Sequence, residues 1–133
     1  MIVVDSSVLI SFFRGLSTPG ADRLAELELI GEPFALPVFC CQEVLQGARD
    51  EHEWERLDTY LSSQWLLAPA DPWETHRQAA RIYYECRRRG VTVRSTVDCL
   101  IAQLVLDHAG ILLHEDVDFE RIRAVRPLRT FRD

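Results

Sequence analysis

The stretch IVVDSSVLI, residues 2–10, decides how the rest of the chain is interpreted. It opens with a run of β-branched residues that is too short for a helix, and it then reaches Asp5 and two serines, residue types that favour helix N-caps. Apolar residues from Val8 to Phe13 follow at helical spacing. The stretch therefore predicts a short strand that ends at an acidic residue and leads directly into a helix.

The same alternation of short apolar strands and helices continues along the chain. It predicts an α/β fold, a three-layer sandwich with a central, mostly parallel sheet flanked by helices. Strands are predicted at residues 2–4, 34–36, 65–67 and 111–113, and the tail after Pro127 is expected to add an edge strand. Further helices are predicted at residues 21–29, from Pro37 to Leu45, and at 50–61, 73–89, 94–109 and 119–125.

Length and composition predict one domain over residues 1–133, because 47% hydrophobic residues suffice for a core. The sequence has no run of 18 apolar residues and no secretory signal pattern, so we expect a soluble, cytoplasmic protein without a membrane partner. Four cysteines lack the spacing of zinc or redox motifs and are expected to be buried free thiols. They are Cys40, Cys41, Cys86 and Cys99.

The charge of the chain excludes several classes of protein. All 15 basic residues are arginine, so mechanisms that need a catalytic or phosphate-binding lysine are ruled out. The net charge of −6 argues against a broad electrostatic footprint on nucleic acid. A polyanion must therefore be bound locally, and arginine is well suited to bidentate phosphate contacts.

Acidic residues follow the predicted strands at the edge where ligands bind in open parallel sheets. Asp5 follows the first strand, and Asp116 and Asp118 follow the fourth. Asp98 occupies the first turn of the helix that leads into the fourth strand, and Glu43 lies inside the third helix. Converging carboxylates repel one another unless a cation neutralises them. Ligation by oxygen alone favours Mg²⁺ or Mn²⁺ over zinc, and such an ion can activate water for phosphodiester hydrolysis.

Each acid also has an ordinary structural interpretation. Asp5, Asp98 and Asp116 are all plausible helix caps, because aspartate is favoured in first turns whatever its function. Glu43 alone is typical of a solvated helix residue. Only the joint placement of the four acids at strand ends and flanking turns favours a common site.

Four motifs, in order, carry a resemblance to the PIN-domain family. They are IVVDSSVLI at residues 2–10, EVLQG at 43–47, STVDCLIA at 95–102 and LLHEDVDF at 112–119. The similarity covers nearly the whole chain. In its length and in the residues of its motifs, the chain is most similar to the VapC toxins of bacterial VapBC toxin–antitoxin pairs.

The resemblance implies a PIN-like fold and a metal-dependent endoribonuclease. Asp5, Glu43, Asp98 and Asp116 would be the catalytic, metal-binding acids, with Asp118 supporting them or a second ion. Mg²⁺ or Mn²⁺ would be the cofactor. The substrate would be RNA, with transfer RNA as one candidate, and the products would carry 5′-phosphate and 3′-hydroxyl ends. A VapB-type antitoxin would inhibit the enzyme, and homodimers are usual in the family.

The chain departs from the family at His114, where a serine or threonine often precedes the fourth acid by two positions. His114 has two interpretations, a contact to substrate or water and a purely structural role, and it stays outside the predicted core site. Among the arginines, Arg94 is the best candidate for a substrate contact, whereas residues 87–89 also suit a helix C-terminus.

Five further arginines lie near the C-terminus and could form an RNA rim, a dock for an antitoxin, or a solvated surface. They are Arg121, Arg123, Arg126, Arg129 and Arg132. Trp54, Trp65 and Trp73 are interpreted as anchors of the core or of a dimer interface. Two other functions remain open, a PIN-like binding or regulatory module without catalysis and a nuclease that acts on DNA.

Overall fold

The computed structural model describes residues 1–131; Arg132, one of the five C-terminal arginines, lies outside the described residues, as does Asp133. Strands and short helices alternate as predicted. The strands are β1 (Ile2–Val4), β2 (Phe34–Pro37), β3 (Trp65–Leu67) and β4 (Ile111–Leu113). The helices are α1 (Ser6–Phe13), α2 (Pro19–Ile30), α3 (Val38–Leu45), α4 (Glu51–Ser62), α5 (Pro72–Arg88), α6 (Thr96–Asp107) and α7 (Val117–Ile122).

The four strands form one parallel sheet in the order β3-β2-β1-β4. The central strand β1 pairs with β4 in the register Val4 to Leu113, so both strands end at the same edge. This arrangement confirms the predicted α/β class. The tail after Pro127 pairs with the edge strand β4 as predicted, but among the described residues the pairing is limited to one parallel bridge, between Leu112 and Thr130.

The sheet separates two apolar layers, which gives the predicted three-layer sandwich. Neighbouring strand residues point to opposite faces, so Val3 packs with α5, α6 and α7, whereas Val4 packs with α1 to α4. Leu112 and Leu113 divide in the same way. Since both faces are covered, the short strands are almost entirely apolar, as expected for a parallel sheet.

Local capping explains where the helices begin and end. Helix α2 begins at Pro19, two residues earlier than predicted, because the Thr18 side chain accepts a hydrogen bond from a backbone N–H of the first turn. Helix α7 also begins two residues early, with Asp116 as its N-cap. Gly90 follows α5 with a φ of +70°, as predicted for the glycine after a helix.

The three tryptophans do not belong to the core. The exposed fractions are 43% for Trp54, 66% for Trp65 and 71% for Trp73, so the interpretation as core anchors is wrong. Their use at a dimer interface stays a prediction. The four cysteines are buried and free, as predicted. Among residues 1–131, no helix combines the length and apolar character needed to cross a membrane.

Candidate active site

Asp5 lies at the point where β1 passes into α1. Its backbone N–H donates to the carbonyl of Leu113 at 3.0 Å, which extends the β1–β4 pairing by one residue. Its Oδ2 accepts from the Ser7 backbone N–H at 3.0 Å and from the Ser7 hydroxyl at 2.6 Å, so it caps the helix. Asp5 is thus fixed by its cap while Oδ1 faces the buried Cys40 thiol at 3.6 Å.

Glu43 lies in the middle of α3, the helix that follows β2, and is half-buried. Its Oε1 accepts a hydrogen bond from the Ser6 hydroxyl at 2.9 Å. Burial raises the pKa of Glu43, and the charge of Asp5 raises it further, while the hydrogen bond from Ser6 lowers it. Two acids from different elements therefore influence each other at this edge.

Asp98 occupies the first turn of α6, whose N-cap is Ser95. Only 9% of Asp98 is exposed, and its Oδ2 is buried with no hydrogen-bond partner among residues 1–131. Burial raises the pKa of Asp98 to about 8, with further contributions from the charges of Asp116, Asp5 and Asp118. A buried, unpartnered carboxylate oxygen is costly and needs an explanation.

Asp116 and Asp118 complete the cluster from the loop after β4. Asp116 caps α7 by accepting from the Asp118 backbone N–H at 2.9 Å. Carboxylate oxygens of Asp98, Asp116 and Asp118 all lie within 4.8 Å of one another. Three acids from two segments that are separate in sequence therefore come together at the carboxyl edge of the sheet.

Asp118 differs from the others because arginines already satisfy it. It is 1% exposed, and its Oδ2 accepts from the Arg94 backbone N–H at 3.0 Å and from Arg94 Nε at 3.4 Å. Its Oδ1 accepts from Arg121 Nη1 at 3.1 Å. Arg94 also donates to Asp116 Oδ1 at 3.3 Å. The carboxylate of Asp118 thus holds the loop before α6 in place beside the cluster.

The structure brings three of the five predicted acids into one group. Asp98, Asp116 and Asp118 meet directly, and Arg94 lies against the last two. Among the described residues, Asp5 and Glu43 do not belong to the group whose carboxylate oxygens lie within 4.8 Å of one another, although the charge of Asp5 contributes to the raised pKa of both Asp98 and Glu43. Glu43 lies at the side of the cluster where α3 and α1 meet.

His114 supports the loop that carries Asp116. Its Nδ1 accepts from the Asp116 backbone N–H at 3.1 Å, so Nε2 carries the proton and donates to Glu120 at 2.8 Å. The imidazole packs on Phe119, with ring centroids 4.9 Å apart. These contacts favour the structural interpretation of His114.

Sequence reasoning missed a polar network that connects Asp5 to the loop after β4. The Ser7 hydroxyl donates to Asp5 and accepts from the Glu115 backbone N–H at 3.0 Å. The Glu115 carboxylate accepts from the hydroxyls of Ser11, at 2.8 Å, and Thr18. Gly20 lies against this carboxylate, since a Cβ at that position would be 2.5 Å from Glu115 Oε1. Only the position of Ser7 inside the first motif pointed to it.

The donor set fits a hard divalent cation. Its ligand atoms are carboxylate oxygens, and histidine and cysteine take no part in the group that could hold an ion among the described residues. The unpartnered oxygen of Asp98 and the raised pKa of this residue indicate that the described protein groups do not compensate the charge that its ionised carboxylate would carry. A cation at Asp98 and Asp116 would supply the missing compensation.

The comparisons with known proteins identify the family of this chain. The profile of the PIN domain matches residues 2–125. The chain is 33% identical to Ribonuclease VapC11 of Mycobacterium tuberculosis over 132 residues, which is 97% of this chain and 96% of the relative. This chain therefore belongs to the PIN-domain family, in its VapC group.

Solved structures show the same fold at low sequence identity. VapBC-1 from nontypeable Haemophilus influenzae matches with a TM-score of 0.75 at 18% identity and covers 98% of this chain and 97% of its own. VapBC2 from Rickettsia felis, solved bound to a DNA fragment from its promoter, matches with a TM-score of 0.74 at 16% identity and 98% coverage of both chains.

Proposed function

We propose that this chain is a Mg²⁺- or Mn²⁺-dependent endoribonuclease that acts as the toxin of a type II toxin–antitoxin pair. The observation that carries the proposal is the buried Asp98 carboxylate, which has an unpartnered oxygen and lies within 4.8 Å of Asp116 and Asp118. Relatives that share about a third of its residues across their length are named ribonucleases. We also propose that residues 1–133 form one domain.

The proposed roles follow from the contacts of each acid. Asp5, Asp98 and Asp116 hold the ion, and Glu43 completes the site from α3. Asp118 acts mainly by orienting Arg94 and the neighbouring loop, because its oxygens already accept from Arg94 and Arg121. A bound divalent ion supplies a Lewis acid, which lowers the pKa of water and neutralises charge that develops on the phosphate.

Arg94 is proposed to contact the scissile phosphate. Its side chain is 65% exposed and lies against Asp116 at 3.3 Å, so its remaining donors can reach a ligand at the cluster. Asp98 has to lose its proton to become a ligand, since its pKa of about 8 keeps it largely protonated near neutral pH in the absence of a cation. Ion binding and RNA cleavage should therefore increase with pH up to that range.

The proposed partners are an RNA, with transfer RNA as one candidate, a VapB-type antitoxin and a second copy of the chain. The antitoxin is supported by the fold shared with VapBC complexes. An RNA-cleaving toxin of this kind would act in the cytoplasm, where its substrates are found. The exposed Trp65 and Trp73 are candidates for contacts between copies.

The central test compares the wild type with Asp5→Asn on labelled RNA and on single-stranded DNA, with Mg²⁺, Mn²⁺ or a chelator. We expect the wild type to cut RNA only with a metal, and Asp5→Asn to be slower by about a thousandfold, because one ligand charge is lost. Titration calorimetry with Mn²⁺ should show binding by the wild type. Sequencing of the RNA ends would check for 5′-phosphates.

Three results would contradict the proposal. Equal RNA cleavage by the wild type and Asp5→Asn would show that the acids do not carry the activity. Cleavage of DNA with RNA left intact would identify a deoxyribonuclease. If the wild type does not bind Mn²⁺ and does not cleave nucleic acid, yet binds a partner peptide, the chain would be a binding or regulatory module.

A further inference from the structure

A cavity of about 490 Å³ opens directly beside Glu43, between α1 and the segment from α3 to α4. Its inner wall is apolar and includes Ile10, Phe13, Val44 and the buried Leu57. The volume lies in the range of pockets that hold small ligands. The cavity is therefore a continuation of the acidic edge rather than an isolated surface groove.

Exposed arginines surround this apolar wall. Arg14, Arg49 and Arg56 line the cavity, and all three are exposed. Arg49 is already neutralised, because it donates to Glu53 through Nε at 3.1 Å and Nη2 at 2.8 Å. Among residues 1–131 the guanidinium groups of Arg14 and Arg56 make no ion pair or hydrogen bond.

These two arginines stand apart from those at the acid cluster. Arg94 and Arg121 compensate Asp118, so much of their charge is used within the protein. Arg14 and Arg56 offer uncompensated guanidinium groups beside the site, in a chain whose net charge is −6. A polyanion that approaches an acidic protein has to be met by such local positive groups.

We propose that this cavity is a nucleotide subsite, which binds the RNA residue next to the cleaved phosphodiester. The base lies against the apolar wall at Ile10 and Phe13, and the phosphate is bound by Arg14 and Arg56. Apolar and aromatic surfaces bind bases, and arginine forks bind phosphates, so the two parts of the cavity match the two parts of a nucleotide. The inference rests on the proposed ribonuclease function.

The main rival occupant is an acidic segment of a partner protein. RNA is favoured because Glu43 lines the cavity and also accepts a hydrogen bond from Ser6, the residue next to Asp5, so a strand bound at the acids would extend into the cavity. A partner peptide has no such requirement to lie in line with the acids. The rival is kept as an outcome of the test.

The test compares Arg14→Ala/Arg56→Ala with the wild type, with Arg14→Lys/Arg56→Lys and with Arg129→Ala. Arg129 is an exposed arginine beside Ile111 at the start of β4, the edge of the sheet opposite the acids, so the RNA rim that the sequence left open for it does not apply to this site. Two quantities are measured, the Kd for a labelled single-stranded RNA in the presence of a chelator, and kcat and KM for cleavage with Mn²⁺. The RNA is extended by single nucleotides on either side of the cut.

The double alanine variant should raise Kd and KM by about tenfold and change kcat by less than about twofold. The slope of log Kd against log salt should fall by about 1.4, which corresponds to two lost phosphate contacts on a single strand. Extension of the RNA on one side should lower KM for the wild type and not for this variant. The lysine variant should recover part of the affinity, and Arg129→Ala should resemble the wild type.

The outcomes separate the two proposals. RNA binding that weakens in the double alanine variant, without any cleavage by the wild type, would retain the cavity as an RNA-binding site and refute the ribonuclease. Cleavage with the same Kd and KM in the double alanine variant and in Arg129→Ala would overturn the subsite. If the double alanine variant then also lost affinity for an acidic peptide, the cavity would be a binding site for a partner protein. A wild type that neither binds nor cleaves RNA would overturn both.

Discussion

The first turns of α6 and α7 each place an aspartate in the same carboxylate cluster, but the two aspartates differ in their hydrogen-bond partners. Asp118 is 1% exposed and accepts hydrogen bonds from Arg94 and Arg121 on both oxygens. Asp98 is 9% exposed and has an oxygen without a partner among the described residues. A buried carboxylate needs either an internal counter-charge or an external one. The contrast therefore separates a structural aspartate from one that is available to a cation.

Asp98→Asn should produce the largest effect. The amide keeps the shape of the side chain and removes the ligand charge, so RNA cleavage should fall by about a thousandfold, equivalent to about 4 kcal/mol of transition-state stabilisation. Cleavage rates at saturating Mn²⁺ would measure this loss. In the metal-free protein the same change should raise the melting temperature at pH 8, because repulsion with Asp116 and Asp5 is relieved. If Asp98→Asn were fully active and less stable than the wild type, the distinction between Asp98 as a cation ligand and Asp118 as a structural aspartate would fail.

Asp118→Asn should act in the opposite direction on stability. It leaves Arg94 and Arg121 without their carboxylate partner, so we expect the free energy of unfolding to fall by about 2 kcal/mol. The loss is smaller than for a fully buried pair because both arginines are partly exposed and become hydrated when the partner is lost. Urea denaturation with and without Mn²⁺ would measure it. If Asp118→Asn were as stable as the wild type but unable to bind Mn²⁺, Asp118 would be a principal ligand and the comparison would fail.

The pH dependence of the metal-free protein provides a third test. The pKa of Asp98 is raised to about 8 in the folded state, above its ordinary value, so between these values the folded chain keeps a proton that the unfolded chain has lost. Stability contributed by this proton should be lost as pH rises. We expect the free energy of unfolding to fall by at most about 1.4 kcal/mol per pH unit between about pH 4 and 8, and by less where solvent screens the cluster. Denaturation curves should show it in the wild type, and the decline should be absent or reversed in Asp98→Asn.

Ser6→Ala should have the smallest effect, at the edge of the site. The hydroxyl of Ser6 stabilises the charged form of Glu43 at 2.9 Å, so its removal should raise the pKa of Glu43. We expect about a fivefold loss of cleavage near neutral pH, which corresponds to about 1 kcal/mol, and a smaller loss at higher pH. Ser62→Ala is the matched control, since that hydroxyl bonds to Asp58 on exposed helix surface. Equal pH profiles for both variants would show that the Ser6 hydroxyl does not affect cleavage through the pKa of Glu43.

The strands and the helix that leads from Asp98 to β4 could be predicted because they depend on local patterns. Three-residue apolar runs and helical spacing specify these elements, and Gly90 marks the end of α5. Asp5, Asp98 and Asp116 could be placed at one edge because parallel strands end together. Local sequence and one topological rule were sufficient for that part of the site.

The partners of these acids could not be predicted, because they depend on side-chain directions between distant segments. Nothing in the order of residues reveals that Arg94 turns back onto Asp118, or that the Cys40 thiol faces Asp5. The exposure of Trp73 has the same origin. Hydrophobic content predicts that a core exists, but it does not determine which large side chains a small three-layer fold leaves at its surface.

The contact between Gly20 and Glu115 makes the first acidic motif sensitive to a distant loop. A methyl group at Gly20 would be 2.5 Å from Glu115 Oε1. The backbone N–H of Glu115 donates a hydrogen bond to the Ser7 hydroxyl, which in turn donates to Asp5. The displacement caused by a single added carbon in the first turn of α2 would thus be transmitted to Asp5 through two hydrogen bonds. A side chain at position 20 would also be 2.9 Å from Cγ2 of the buried Val8, so this position would change only together with both neighbours, although none of the three residues is expected to contact RNA.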